Sequence, residues 1–372
     1  MSKAMRDWVV GAALLVCAAV VPFVTHDRYI VTQTTLFFIW ATVVTQWNLV
    51  FGVGGIFSLA QMALFAFGAY GTAMLGYYAH WPMWLAIPAG SLSASVASLL
   101  IGLACLRLRG PYVALLTLAI AQVLYLMIIN DTECFIFNEG GCMPLFGGMR
   151  GVGNFGDLGF HSWLGARYII GDYFVALALL AVAFAFSAWI ARGPFGLAFR
   201  ALRDNPSYAL SRGVSKFRHQ LWIFALSSFF TGLAGAIYAG HFRVVGPTVF
   251  SFALLLYLLS MIVVGGVGSI WGPLIGAALL MLADEGWKEA QDWRAIGMGL
   301  VLPAFIILLP GGVVGLFNRL QGRGRAAPAH AGPAAAERDE PEAARAEPKA
   351  AHAEPAAAPG VEFAAKAAEA EF

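Results

Sequence analysis

The sequence predicts an all-α, polytopic transmembrane helical bundle of about ten spans, with eight to ten as the range its boundaries allow. Three observations predict it. Hydrophobic residues make up 60% of the 372 residues and charged residues 12%, with a mean hydropathy of +0.74, where a soluble domain carries about 45–50% apolar and about 25% charged residues. Apolar runs near the ~20-residue length that crosses a bilayer recur through most of the chain. The charges fall between those runs and in one tail. An ordinary soluble enzyme is thereby excluded, as is disorder over most of the chain. A net charge of +2 lacks the basic excess of a nucleic-acid binder.

The runs are 8–25, 30–51, 57–79, 84–106, 111–130, 168–191, 220–242, 251–266, 270–283 and 294–316. The first follows Lys3 and Arg6, and no small-residue cleavage site leads from it into a polar mature chain, so it reads as a retained span. Gly-rich backbone joins 30–51 to 57–79 and 251–266 to 270–283. Cys17 and Cys105 lie within apolar runs and read as core residues.

Cation bias sets the orientation. With ten spans, thirteen of the 23 Lys and Arg fall on one side, including Lys3, Arg6, Arg107, Arg109 and six in loop 192–219; six fall on the other. The N-terminus, loop 192–219 and the C-terminus are therefore expected in the cytoplasm. Loop 131–167 then lies outside, rich in Gly and poor in charge. It carries Cys134 and Cys142, which an oxidising compartment lets pair; a disulfide and two free thiols both stand as readings. Residues 1–320 form the expected membrane domain. Residues 321–372 are Ala-, Pro- and Glu-rich with few bulky apolar groups, and such a segment cannot offset its ordering entropy by burial, so a disordered cytoplasmic tail is expected.

The chemistry-bearing residues are sparse. No ionisable residue stands at the centre of a confident run, and Asp131, Glu133, Asp284, Glu285 and Asp292 sit near outer ends. There is no GxxxxGK[ST] loop, no CxxC or HExxH pattern and no nucleophile elbow, so no catalytic residue, metal or cofactor is expected. Uncharged polar groups are more informative. Gln46 and Asn48 end the second run, Ser58 and Gln61 begin the third, and Gly52, Gly54 and Gly55 lie between them. A second break holds Gly265, Gly266, Gly268 and Ser269. Irregular backbone at membrane depth is tolerated where it is buried in protein or lines a watery cavity. Two readings stand for the breaks: a solute path through glycine-interrupted segments, or close packing through small residues. Gly68, Ala69 and Gly71 read as packing.

Loop 192–219 is basic. Arg200 and Arg203 are three apart and share a helix face. Asp204 or Asn205 is placed to cap a second short helix begun by Pro206 and ended by Gly213. Phe199, Leu202, Tyr208 and Leu210 give the unit a partly apolar surface. Such a unit is a docking element or a topology anchor alone.

Several stretches, in order, resemble the permease subunit of branched-chain amino acid ABC transporters, a family that also serves urea and short amides. They are 48–61 (NLVFGVGGIFSLAQ), 65–70 (FAFGAY), 107–119 (RLRGPYVALLTLA), 193–205 (GPFGLAFRALRDN), 232–238 (GLAGAIY) and 264–273 (VGGVGSIWGP). The resemblance implies a bundle similar to type II ABC importers in a bacterial inner membrane. It implies a pore shared with a second, homologous permease, two cytoplasmic ATP-binding subunits and a periplasmic solute-binding protein, with membrane lipid around it. It also implies a coupling role for Arg200, Arg203, Asp204, Asn205, Ala209 and Gly213. The family's coupling pattern Glu-Ala-Ala-x3-Gly falls on Ser207, Tyr208, Ala209 and Gly213, so Ala209 and Gly213 match and the acidic residue is absent. Branched-chain amino acids, urea and short amides stand as alternative solutes, and an ion-coupled secondary carrier as the alternative machine.

Overall fold

The computed structural model describes residues 3–25, 27–108, 111–138, 141–160, 165–286, 288 and 311–320. Met1–Ala327 forms one compact unit; a second, Pro328–Phe372, lies outside the described residues, and with it most of the expected tail. The expected run 294–316 is described only from Gly311 onward.

The first nine runs all fall on helices. They are α1 (Lys3–Val24), α2 (Arg28–Asn48), α3 (Gln61–Tyr78), α4 (Met83–Cys105), α5 (Tyr112–Ile129) and α6 (Tyr168–Arg192). After the short helices α7 (Pro194–Asp204) and α8 (Pro206–Ser211) come α9 (Lys216–Phe242), α10 (Phe252–Gly265), α11 (Gly272–Gly286) and α12 (Gly312–Leu320). Among the described residues, five stretches are long and apolar enough to cross a membrane: Arg28–Val53, α4, α5, α6 and α9. Of the other expected runs, 294–316 lies almost wholly outside the described residues and α1 is a shorter apolar helix over Trp8–Val24. Helices α10 and α11 are short because they meet at the glycine break, and α3 dilutes its apolar residues with Gln61, three glycines and three tyrosines.

Helix α9 packs along both α3 and α4, which also pack on each other, while α2 runs along α6 and α9. The most apolar part of Arg28–Val53 is 78% buried and that of α5 only 28%, so α2 is central and α5 peripheral. Small residues set the closest crossings. A Cβ on Gly68 would stand 2.1 Å from the Gly232 carbonyl, and one on Gly235 2.1 Å from that of Phe65. This is backbone approach through glycine, the packing expected for Gly68. Large side chains, Trp47, Phe65, Tyr173 and Phe224, fill the remaining core.

Loop 131–167 is folded onto the bundle. Strands Ile136–Asn138 and Gly141–Met143 pair antiparallel, and Val152–Gly153 pairs with Val244–Val245 just after α9. Asp131 Oδ2 accepts from the Phe146 amide at 2.5 Å. Cys134 is disulfide-bonded, and the side chain of Cys142 lies outside those described.

Candidate functional site

The two glycine-rich breaks meet in space. At the first, α2 continues into a π-helical turn over Leu49–Val53, with the Gly54 amide donating to Leu49 O at 2.9 Å and the Ile56 amide to Val50 O at 3.1 Å. The Gln46 carbonyl, beside that irregular turn, accepts from Ser227 Oγ of α9 at 2.8 Å. Such tertiary partners let irregular backbone persist at membrane depth. At the second break, Gly266 and Gly268 hold φ of +113° and +75°, a backbone region that glycine enters without strain. Helix α11 then starts at Gly272, whose amide donates to Ser269 Oγ at 3.0 Å.

One carboxamide joins the breaks. Asn48 Nδ2 donates to Ser269 O at 2.9 Å and Asn48 Oδ1 accepts from the Gly268 amide at 2.8 Å. Gly52 lies against the same segment: a Cβ there would stand 2.3 Å from Gly268 N. Beside it, α10 and α11 fold back in backbone contact, with a Cβ on Gly265 falling 1.9 Å from Gly272 O. Gly266 approaches Gly311 and Gly312 at the start of α12. Gly52, Gly265, Gly266, Gly268 and Ser269 thus form a single joint.

The other residues expected to line a path lie outside this joint. Gly54 is buried beside Val50 O and Ile223, and Gly55, at φ +66°, faces open space. Ser58 and Gln61 are each 1% exposed. Gln61 Nε2 donates to Thr231 Oγ1 at 2.5 Å, and the Ser58 carbonyl accepts from Trp47 Nε1 at 3.0 Å, so both face α2 and α9. Asn48 stands out in the sequence as a polar residue closing an apolar run; its role as the bridge needs the fold.

Loop 192–219 forms the two expected short helices. Asn205 caps α8, its Oδ1 accepting from the Tyr208 amide at 3.1 Å, and Gly213 holds φ +82° just beyond. Arg200 Nε donates to Gly196 O at 3.2 Å, and Arg212 reaches the Tyr208 hydroxyl at 2.9 Å. The side chains of Arg203 and Asp204 lie outside those described. The apolar surface divides: Phe199, Leu202 and Ala209 are buried against the bundle, whereas Phe195, Leu197, Tyr208 and Leu210 are exposed. The expectation that Phe199 and Leu202 face outward is corrected, because α7 is amphipathic and turns that stripe inward.

A buried ionisable pair joins the start of α6 to the end of α9. Asp172, in the second turn of α6, meets His241 Nδ1 near the end of α9 at 2.9 Å, with side chains 4% and 5% exposed. No run-by-run reading isolates this pair, since each partner sits near the end of its own helix. Nearby, Arg243 contacts Asp157 at 3.1 Å and covers the Tyr168 ring. Tyr29 donates to Glu285 at 2.6 Å, and Lys288 contacts both. Burial pulls the Lys288 pKa down, but the hydrogen bonds and charge of Glu285 and Tyr29 outweigh it, so the ammonium titrates above its ordinary range. Among the described residues no cluster of His, Cys, Asp or Glu is arranged to hold a metal.

Comparison with known proteins bears on the same residues. The family described as branched-chain amino acid transport system / permease component matches residues 29–310. The high-affinity branched-chain amino acid transport system permease protein LivM of Escherichia coli K12 is 30% identical over 313 residues, covering 81% of this chain and 73% of its own. LivM of Salmonella typhimurium LT2 gives the same identity and coverage. No solved structure matches.

Proposed function

Since the chain belongs to the branched-chain amino acid transport permease family, we propose that it is the permease subunit of an ABC importer for branched-chain amino acids or a related small polar solute. In this reading it shares a translocation path with a second, homologous permease. Two separate ATP-binding subunits drive it, and a periplasmic binding protein delivers the solute. The fold is a type II importer-like bundle of about ten spans in a bacterial inner membrane, with both termini in the cytoplasm.

The observation that carries this reading is the exposed α7–α8 unit, hung between two long apolar helices and presenting Phe195, Leu197, Tyr208 and Leu210. A topology anchor needs charge alone; this unit also has a capped helix and an outward apolar face. The ATP-binding subunit docks there, and its motion is passed through α6 and α9 to the glycine joint. The joint then alternates: parting Asn48 from Gly268 and Ser269 frees backbone amides and carbonyls near 52–55 and 265–269 for a zwitterionic solute, with Ser58 and Gln61 behind them. Every side chain of the joint is uncharged, which suits a net-neutral cargo. On the outside, Cys134 pairs with Cys142.

Among the described residues, the Asp172–His241 pair is the feature that favours a proton-coupled carrier. Its position near helix ends, with each partner meeting the other, favours a clamp instead. Purification of the tagged chain from membranes in mild detergent, with mass spectrometry of what accompanies it, tests the proposal. A second permease and ATP-binding subunits are expected; a folded chain recovered alone overturns it.

A further inference from the structure

A cavity of about 490 Å³ lies between α1 and the bundle, within the ~300–1,000 Å³ range of small-molecule sites. Its walls come from α1, α2, α6 and α11, and Trp8, Phe38, Leu180, Trp271 and Ile275 represent them. Among the described residues, Arg192 is the single charged one in the lining.

Three features specify the occupant. On α1 the lining runs from Trp8 to Ala18, about 15 Å at ~1.5 Å per residue. That is half of a ~30 Å hydrocarbon core, the depth of one leaflet. Helices α1 and α6 run antiparallel, with the Tyr173 hydroxyl donating to Ala18 O at 2.5 Å. Trp8 therefore shares an end of the cavity with Arg192, and an aromatic ring beside a cation is the signature of the headgroup level. The other face of α1 exposes Val9, Val16, Val20 and Phe23, as a lipid-bathed helix does.

We propose that this cavity binds one acyl chain of a glycerophospholipid, with the lipid phosphate at Arg192. The inference rests on the membrane reading of the chain and not on transport. The site also touches the joint. The Trp271 ring packs at a tilt against Phe184 with centroids 4.8 Å apart and borders Gly11, and Trp271 lies two residues after Ser269, the acceptor of Asn48. A bound chain thus supports the wall behind the second break.

Native mass spectrometry of the detergent-purified complex, titrated with dioleoyl phosphatidylglycerol and dioleoyl phosphatidylcholine, tests this. The wild-type chain is expected to retain phosphatidylglycerol. Ala181→Phe, which fills the cavity, lowers retention of both lipids about tenfold, and Arg192→Gln lowers phosphatidylglycerol retention about tenfold with less effect on phosphatidylcholine. Unchanged retention in either variant overturns the proposal, including the case in which a protein segment fills the cavity. Arg192→Gln keeps the test decisive should Ala181→Phe fail to fold. Because lipid binding is read directly, a failed transport assay and a failed lipid site remain distinct results.

Discussion

Asn48 and Gly268 are 220 positions apart in sequence, yet the Asn48 side chain accepts the Gly268 amide proton at 2.8 Å. The same carboxamide donates to Ser269 O, so one side chain, 3% exposed, pairs two backbone groups of a helix break whose own backbone bonds run from Gly266 to Ile262 and from Ser269 to Gly266. Cutting it leaves two backbone groups unpaired.

Asn48→Ala is expected to cost about 1–3 kcal/mol and to lower uptake in proteoliposomes. Asn48→Asp keeps the acceptor for Gly268 but sets a carboxylate oxygen against the Ser269 carbonyl in a site 3% exposed, so it is expected to cost at least as much as Asn48→Ala. Thermal unfolding in detergent, read beside uptake, checks the order; equal stability of all three chains would remove Asn48 from the joint.

Gly52 and Gly55 separate crowding from backbone strain. A methyl group on Gly52 meets the Gly268 backbone, which cannot turn away as a side chain could. Gly52→Ala should therefore destabilise by about 1–3 kcal/mol through overpacking. Gly55 has open space but φ +66°, so Gly55→Ala carries only the left-handed strain, about 1–2 kcal/mol. Uptake should fall further in Gly52→Ala, and the reverse ranking would contradict contact between the breaks.

The Asp172–His241 clamp should behave as a buried pair. Asp172→Ala alone leaves the His241 ring nitrogen without its buried partner and costs about 1–3 kcal/mol, whereas replacing both partners with Leu recovers much of that loss. A double-mutant cycle in thermal stability measures the coupling. Additive losses would show that the two side chains act independently.

Asn205 caps α8 through the Tyr208 amide. Asn205→Ala should cost that helix about 1 kcal/mol and weaken recovery of the ATP-binding subunits, while Asn205→Ser restores the cap. Subunit yield on affinity purification is the readout; wild-type yield from Asn205→Ala would separate docking from α8 order.

Much of the bundle is legible because hydrophobic periodicity and length are local properties. Nine of the expected runs fall on helices, and the Gly-rich breaks end helices as expected. The basic loop is legible for the same reason: Asn205-Pro206 and Gly213 mark helix ends through chemistry within four residues. The burial of Phe199 and Leu202 is less so, since which face of α7 turns inward depends on α6 and α9.

By itself the sequence determined that this chain is an α-helical membrane protein, where its helices break, and that its ionisable groups keep away from the middle of its runs. Only the tertiary structure decided that the two breaks touch, that Asn48 is the residue joining them, and that Asp172 answers His241. The reason is distance along the chain. Periodicity, capping and bilayer length act over a few turns of backbone, whereas the contact of Asn48 with Gly268 depends on α2 packing against α10 and α11, elements some two hundred positions further along the chain.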